Sequence, residues 1–278
     1  MYDISPLFYR QLQSNRFSDN ISINDEQDQM LLSSRSEVRR AIRAAFSNAR
    51  LYLQNKSDIT TEDIQWITTI KPKFMTQGSY AYKTLNAPCY TTQDIDLDDG
   101  VYLPMSILNG EPNANREWFF QIVDGALATL AREKGWKVGE KDTCARVILP
   151  SQAHIDVPLY AVPDKRFVEM STGFENLRKE HRRLSNAIYD ADTVDSQPYL
   201  LNADEVYLAT RESGWKKSDP LLIANWFKQE ISTKGRRLRR VCRFLKAWRD
   251  FTWEHGGPSS ITLMICAAEA YPQDDQSR

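Results

Sequence analysis

The chain has 278 residues, 41% of them apolar and 26% charged, with a formal net charge of −1. This suits a soluble globular protein of one large domain or two lobes, and it excludes a protein drawn to nucleic acid by its overall charge, so any basic site must be local. Four widely spaced cysteines without a C-x-x-C pair argue against zinc and a disulfide framework. With no signal-peptide pattern or apolar run of membrane length, a cytoplasmic protein without membrane attachment is expected.

Residues 1–22 are polar with scattered aromatics and read as an arm that docks on the body. From Asp25 to Gln54 the pattern is helical, with Leu31, Val38, Ile42, Ala45, Phe46, Ala49 and Leu53 as the apolar stripe. Arg35, Arg39, Arg40 and Arg43 fall off that stripe and read as a solvated face. A short second helix, Ser57 to Ile67, is entered at Asp58 or Thr60 as cap, and Lys71-Pro72 ends it.

The stretch FMTQGSYAYKTLNAPCYTTQDIDLDDGVYLP, residues 74–104, is the most informative. Gly78 permits close approach of the backbone to a ligand, and Ser79 offers an amide and a hydroxyl to a phosphate. Asp94, Asp96, Asp98 and Asp99 then alternate with Ile95 and Leu97, which predicts a strand with carboxylates on one face. Carboxylates at i and i+2 point the same way, roughly 7 Å apart. Such repulsion becomes useful when a hard divalent cation lies between them. An EF-hand loop fails in register, because its sixth and twelfth positions from Asp94 are Asp99 and Met105 rather than Gly and Glu.

Glu117 to Glu133 is apolar at helical spacing and ends at Gly135. Trp136–Val138 and Cys144–Leu149 read as paired strands. In HIDVPLYAV, residues 154–162, alternation predicts a strand with one buried face and one active face carrying Asp156, while His154 orients the turn or hydrogen-bonds rather than binding metal. Residues 164–199 read as a charge-rich loop or mobile insertion, with a solvated basic run from Arg178 to Arg183. Ser218-Asp219-Pro220 opens a helix with Pro at its first position. The next, 238–253, is amphipathic, with Leu238, Val241, Leu245 and Trp248 inward and Arg239, Arg243 and Lys246 on another stripe. GGPSS leads into a last apolar helix, 261–270. This order predicts an α+β protein: a mixed-sheet lobe over 1–165, a helical lobe with an insertion over 166–278, and a cleft between them.

Gly-Ser followed by Asp-x-Asp on the next strand is the signature of the nucleotidyltransferase fold shared with polymerase β. The blocks TQGSYAYKTLN, DIDLDDGVYLPM, TCARV, HIDVPLYAVP, WKKSDPLLIANWF and LRRVCRFLKAWRDFTWEHGGPSS, collinear from about Phe74 to Met264, resemble the CD-NTases of the bacterial cyclic GMP–AMP synthase (DncV) type. These are the cGAS-like nucleotidyltransferases of anti-phage CBASS systems.

The resemblance implies a cytoplasmic monomer that makes a 3′,3′-cyclic GMP–AMP messenger from ATP and GTP, with release of pyrophosphate. It also implies a downstream CBASS effector, regulatory or conjugating proteins as further partners, and no need for nucleic acid. Asp96, Asp98 and Asp156 match the carboxylates that hold two Mg²⁺ ions, with Mn²⁺ as a substitute; a register using Asp94 and Asp96 stays open. Gln77, Gly78 and Ser79 match the phosphate-contacting turn, and Tyr82 an aromatic near the nucleotide. Arg146 and Lys246 match basic residues of the donor and acceptor pockets, and Ser260 a base or ribose contact. The family carries a longer helical C-terminal region than this sequence does. Outside that reading stand another nucleotidyltransferase of the same fold, an inactive nucleotide-binding regulator and a structural cation-binding domain.

Overall fold

The computed structural model describes residues 17–54, 59–108, 112–170 and 206–272. The arm before residue 17 and the run Arg178 to Arg183 lie outside the described residues, as does most of the 164–199 segment. Of that segment, residues 164–170 are helical rather than loop.

Helix α1, Asp25–Ser47, starts in a capping box in which Asn24 and Gln27 satisfy each other's backbone amides. It stops at Asn48, whose side chain bonds back to the Ala44 carbonyl, so the long helix expected to Gln54 resolves into α1 and a separate turn, Arg50–Leu53. Helix α2, Thr61–Thr69, has Thr60 as cap in a second capping box with Asp63. Strand β1, Lys73–Gln77, runs into the one-turn α3, Gly78–Ala81, and β2 follows at Ile95–Pro104. Helix α4, Pro112–Lys134, ends before Gly135, which takes φ +69°.

Strands β3 (Lys137–Gly139) and β4 (Ala145–Leu149) pair antiparallel, as their sequence predicts. The expected strand 154–162 is divided at Pro158 into β5, Ala153–Val157, and β6, Leu159–Val162. Proline has no amide to give a ladder. Both halves pair parallel with β2, and both are buried throughout rather than on one face. Strands β7 (Tyr207–Thr210) and β8 (Gly214–Lys217) complete an eight-stranded mixed sheet among the described residues, in the order β3-β4-β5-β2-β6-β7-β8 with β1 paired to β2. The sheet therefore continues past the expected boundary at residue 165.

Helix α5, Pro220–Lys234, is capped by Asp219, which accepts the Leu221 amide; α6, Arg237–Thr252, and α7, Ser260–Ala270, follow. The main core lies among α1, α2, α4 and the sheet, and a separate cluster of Phe227, Leu238, Cys242 and Met264 holds the last three helices together.

Two arginines of α1 depart from the solvated face expected for them. Arg35 and Arg39 are buried. Arg39 donates to both oxygens of Asp99, at 2.5 and 2.7 Å, and to Thr76 Oγ1 at 3.1 Å. Asp99 shares strand parity with Ile95 and Leu97, so it enters the core, where an uncompensated charge is costly and Arg39 supplies the partner.

Candidate active site

The alternation of β2 divides its acids. Ile95, Leu97 and Asp99 are buried, whereas Asp96 and Asp98 open onto a cavity of about 810 Å³ between the sheet and α6 and α7. Parallel pairing with β5 sets Asp96 opposite His154 and Asp98 opposite Asp156. The sheet thus joins acids 58 positions apart in sequence. Asp94 also lines the cavity, at its exposed rim, with its carboxylate 3.4 Å from His154 Nδ1.

The Gly-Ser turn meets this floor. Gly78 has φ +65°, and a Cβ there would overlap Asp98 Oδ2, so a side chain is excluded by both conformation and space. Ser79 and Tyr82 line the cavity beside it, and Tyr82 packs on Phe227 with ring centroids 6.1 Å apart. On the opposite wall stand Lys246, Arg249 and Ser260. Lys246 is buried and donates to the Thr84 carbonyl at 2.8 Å, so it does not share a solvated stripe with Arg239. Arg249 donates to Ser260 Oγ at 3.0 Å.

Two residues expected near the nucleotide are engaged by partners within the sheet. Gln77 donates to Tyr160 Oη at 3.1 Å and accepts from Tyr102 Oη at 3.3 Å, which commits its amide to the stacked tyrosine pair. Arg146 faces Asp156 across the β4–β5 ladder and binds its carboxylate through Nε at 2.5 Å and Nη2 at 2.8 Å. Asp156 is itself buried and takes a third bond, from Lys141 Nζ at 2.6 Å. Lys141 and His154 also line the cavity; the sequence pattern gives no signal for Lys141 and gives His154 an orienting or hydrogen-bonding part only. Lys141 sits on the turn before β4, and only the pairing of β4 with β5 brings it to the acids.

Charge crowding shows in the titration of the cluster. Burial, then Asp96 and Asp156, push the Asp98 carboxyl up to about 7. Burial pushes Asp156 upward too, but its bonds to Arg146 and Lys141 outweigh this and hold it below the usual carboxylate range. Burial, with Arg249 nearby, lowers Lys246 to about 8.

Asp96 and Asp156 offer the oxygen donors that a hard divalent cation takes, while His154, expected not to bind metal, brings a ring nitrogen into the same group and Asp98 is not part of it. Asp96, His154 and Asp156 each offer an atom within 4.8 Å of the others, and Asp96 Oδ1 is buried without a hydrogen bond, 2.9 Å from a misaligned His154 Nε2.

Comparison with known proteins places this geometry. Residues 72–160 match the family model of the cyclic GMP-AMP synthase DncV-like nucleotidyltransferase domain, and residues 235–277 that of the cyclic GMP-AMP synthase C-terminal domain. A cyclic GMP-AMP synthase of Escherichia coli (strain TW11681) is 36% identical over 236 residues, covering 82% of this chain and 53% of the relative. One from Vibrio cholerae is 42% identical over 201 residues, covering 70% and 46%. The chain thus spans about half the length of the curated relatives it matches. The crystal structure of Vibrio cholerae DncV with the linear intermediate 5′ pppA(3′,5′)pG superposes with a TM-score of 0.73 at 28% identity, over 94% of this chain and 72% of that one. The same enzyme as a mutant in complex with ATP, GTP and 5MTHFGLU2 gives 0.76 at 29%. With the acidic strand, the glycine turn and the parallel neighbour all inside the matched region, residues 72–160 belong to the DncV-like nucleotidyltransferase domain family.

Proposed function

We propose that this protein transfers nucleotidyl groups between ribonucleoside triphosphates to make a cyclic dinucleotide, 3′,3′-cyclic GMP–AMP from ATP and GTP, as a messenger in anti-phage signalling. One observation carries the reaction class: the Gly78-Ser79 turn lies against Asp98 at the floor of a cavity that also holds Asp96, and Asp156, buried behind that floor, pairs with Asp98 from the neighbouring strand. The product class is supported by the relatives named as cyclic GMP-AMP synthases, and the signalling role by the resemblance of the quoted motifs.

In this reading the hydroxyl oxygen of one ribose bonds to the α-phosphorus of a second nucleotide, and the bond to the β-phosphate oxygen breaks to release pyrophosphate. Gly78 leaves room for phosphate oxygens beside the backbone, and Ser79 contributes its amide and hydroxyl. Lys246 neutralises phosphate charge from the opposite wall, Tyr82 and Ser260 position base and ribose, and Arg146 acts through Asp156, which it orients. Asp96, Asp98 and Asp156 would hold two Mg²⁺ ions, which when bound lower the pKa of the attacking hydroxyl and stabilise charge on the leaving group. Ring closure needs a second round in the same cavity, with the linear intermediate turned so that its triphosphate becomes the donor.

The catalytic lobe in this proposal is the whole sheet with α1 to α4, and the helical lobe is α5 to α7. The protein acts as a cytoplasmic monomer without nucleic acid, and its effector responds to the product. Incubation with four labelled nucleoside triphosphates and Mg²⁺, followed by chromatography, is the test. A phosphatase-resistant dinucleotide is expected. A ladder of longer products would assign an oligonucleotide-extending enzyme instead, and no turnover would leave only nucleotide binding.

A further inference from the structure

Both oxygens of Asp156 are already taken by cationic donors. One buried carboxylate faces two cations, Arg146 with two hydrogen bonds and Lys141 with one, and Lys141 shares Oδ2 with Arg146. A divalent cation at the Asp96, His154, Asp156 cluster would add two further charges to the same small volume. Asp96 and Asp98 offset part of the repulsion, but a cation bound to Asp156 needs an oxygen that Arg146 or Lys141 now occupies, so one of the two donors gives way.

The two are not equally held. Arg146 sits within β4, in ladder register with Asp156, and its fork makes parallel bonds to both carboxylate oxygens. Lys141 lies between β3 and β4, makes a single bond, and has a side chain 44% exposed against 24% for Arg146. Its four-carbon stem reaches from a turn that is anchored through backbone groups: the Lys141 carbonyl accepts from Arg211 Nε at 3.0 Å, and Asp142 binds the amides of Arg211 and Glu212. The ammonium can therefore swing without unfastening the turn. It also lines the cavity that Gly78, Ser79 and Lys246 line.

We infer that Lys141 is an exchangeable counter-ion: it neutralises Asp156 when no metal is bound, yields that carboxylate to an incoming divalent cation, and then contacts the phosphates of the nucleotide in the cavity. This rests on the nucleotidyltransferase reading and assigns a residue which that reading left without a role. The proposal gives the two ligands opposite responses to one substitution. A purely structural lysine would weaken both, or neither.

The test measures binding rather than turnover. Mn²⁺ affinity is read by electron paramagnetic resonance on the nucleotide-free protein. Affinity for a non-hydrolysable α,β-methylene ATP is read by calorimetry, with and without Mg²⁺. Lys141→Gln should bind Mn²⁺ roughly tenfold more tightly, by the loss of one nearby positive charge. It should bind the ATP analogue roughly tenfold more weakly with Mg²⁺ present, by the loss of one charge-assisted bond, and with little change without Mg²⁺. Lys141→Arg should restore both values toward wild type. Unchanged or jointly weakened affinities in Lys141→Gln would overturn the proposal, as would an analogue affinity that falls equally with and without Mg²⁺. Wild-type protein that binds no Mn²⁺ would overturn the exchange and the metal assignment together. Tighter Mn²⁺ binding by the variant, in a protein whose wild type makes no dinucleotide, would sink the functional reading while sparing the cation exchange.

Discussion

Adjacent aspartates of β2 have opposite fates because a strand turns successive side chains to opposite faces. Asp99 is buried with Arg39 as its partner, and both side chains are 1% exposed. Removing one member of such a pair strands the other, at a cost of about 3–5 kcal/mol, so Arg39→Met should lower the melting temperature strongly. Asp98 behaves in the other sense. Its folded carboxyl titrates near 7, above the ordinary 3.8, so the folded state holds more protons than the unfolded state between those values. Stability from this group accordingly falls as pH rises through that window, and the penalty is complete above pH 7. Asp98→Asn should therefore melt higher than wild type at pH 8 in EDTA and flatten the decline from pH 5 to 8. A lower melting temperature at pH 8 would show that Asp98 is compensated inside the fold.

At the level of elements, α6 shows where periodicity informs and where it misleads. Its amphipathic pattern placed Leu238 inward, and Leu238 is buried; Trp248, assigned to the same stripe, is 51% exposed and packs edge-on against Trp253. Lys246 is buried because α6 is covered on two sides, by the α5–α7 cluster and by the loop after α3, and a single-stripe reading allows for one covered side only. The same limit explains Arg35 and Arg39 on α1, whose partners Thr76 and Asp99 lie 37 to 60 residues away. Local chemistry was legible: the Thr60 and Asp219 caps, the strand pair before β5, the Gly-Ser turn and the acidic alternation all stand where the residues indicated. The ties of Gln77 to tyrosines and of Arg146 to Asp156 depend on strand pairing across the sheet, which one strand's pattern cannot give. For Lys246, depression of its pKa from 10.5 to about 8 means that the folded state holds fewer protons between those values. Its charge costs stability in full below pH 8, and the cost is relieved as pH rises toward 10.5. Lys246→Met should thus leave the melting temperature at pH 7 equal or higher while raising KM for the triphosphate by roughly tenfold to a hundredfold, the worth of one charge-assisted hydrogen bond. A lower melting temperature with unchanged KM would make Lys246 a structural tie to Thr84.

Across the whole molecule, the cavity exists because two bodies with separate cores are held at a fixed distance, and the tie is the loop from Thr84 to Gln93. This loop leaves the Gly-Ser helix, lies along α6 and returns as the acidic strand. Asn86 and Arg243 exchange hydrogen bonds, with Asn86 Nδ2 donating to the Arg243 carbonyl at 2.8 Å and Arg243 Nε to Asn86 Oδ1 at 3.0 Å. Arg243 also reaches the Ile21 carbonyl and Ser22 Oγ, so three chain segments meet on one guanidinium. Farther along, Gln93 Nε2 donates to the Asp250 carbonyl and Tyr90 Oη to that of Phe251. Burial lowers the pKa of Arg243, and the acceptors around it are carbonyl, amide and hydroxyl oxygens rather than carboxylates. That makes the seam selective in what it loses on mutation, because Arg243→Met strands no carboxylate. Asn86→Ala or Arg243→Met should loosen the spacing between Lys246 and the acids of β2, and so raise KM for the triphosphate more than it lowers kcat. Because both residues serve one clasp, the double variant should match the more damaging single one instead of summing the two. Hydrogen exchange over residues 84–93 should quicken in all three proteins while exchange in β2 and β5 holds. Additive KM effects, or unchanged exchange in the loop, would mean that the lobes keep their spacing without this seam.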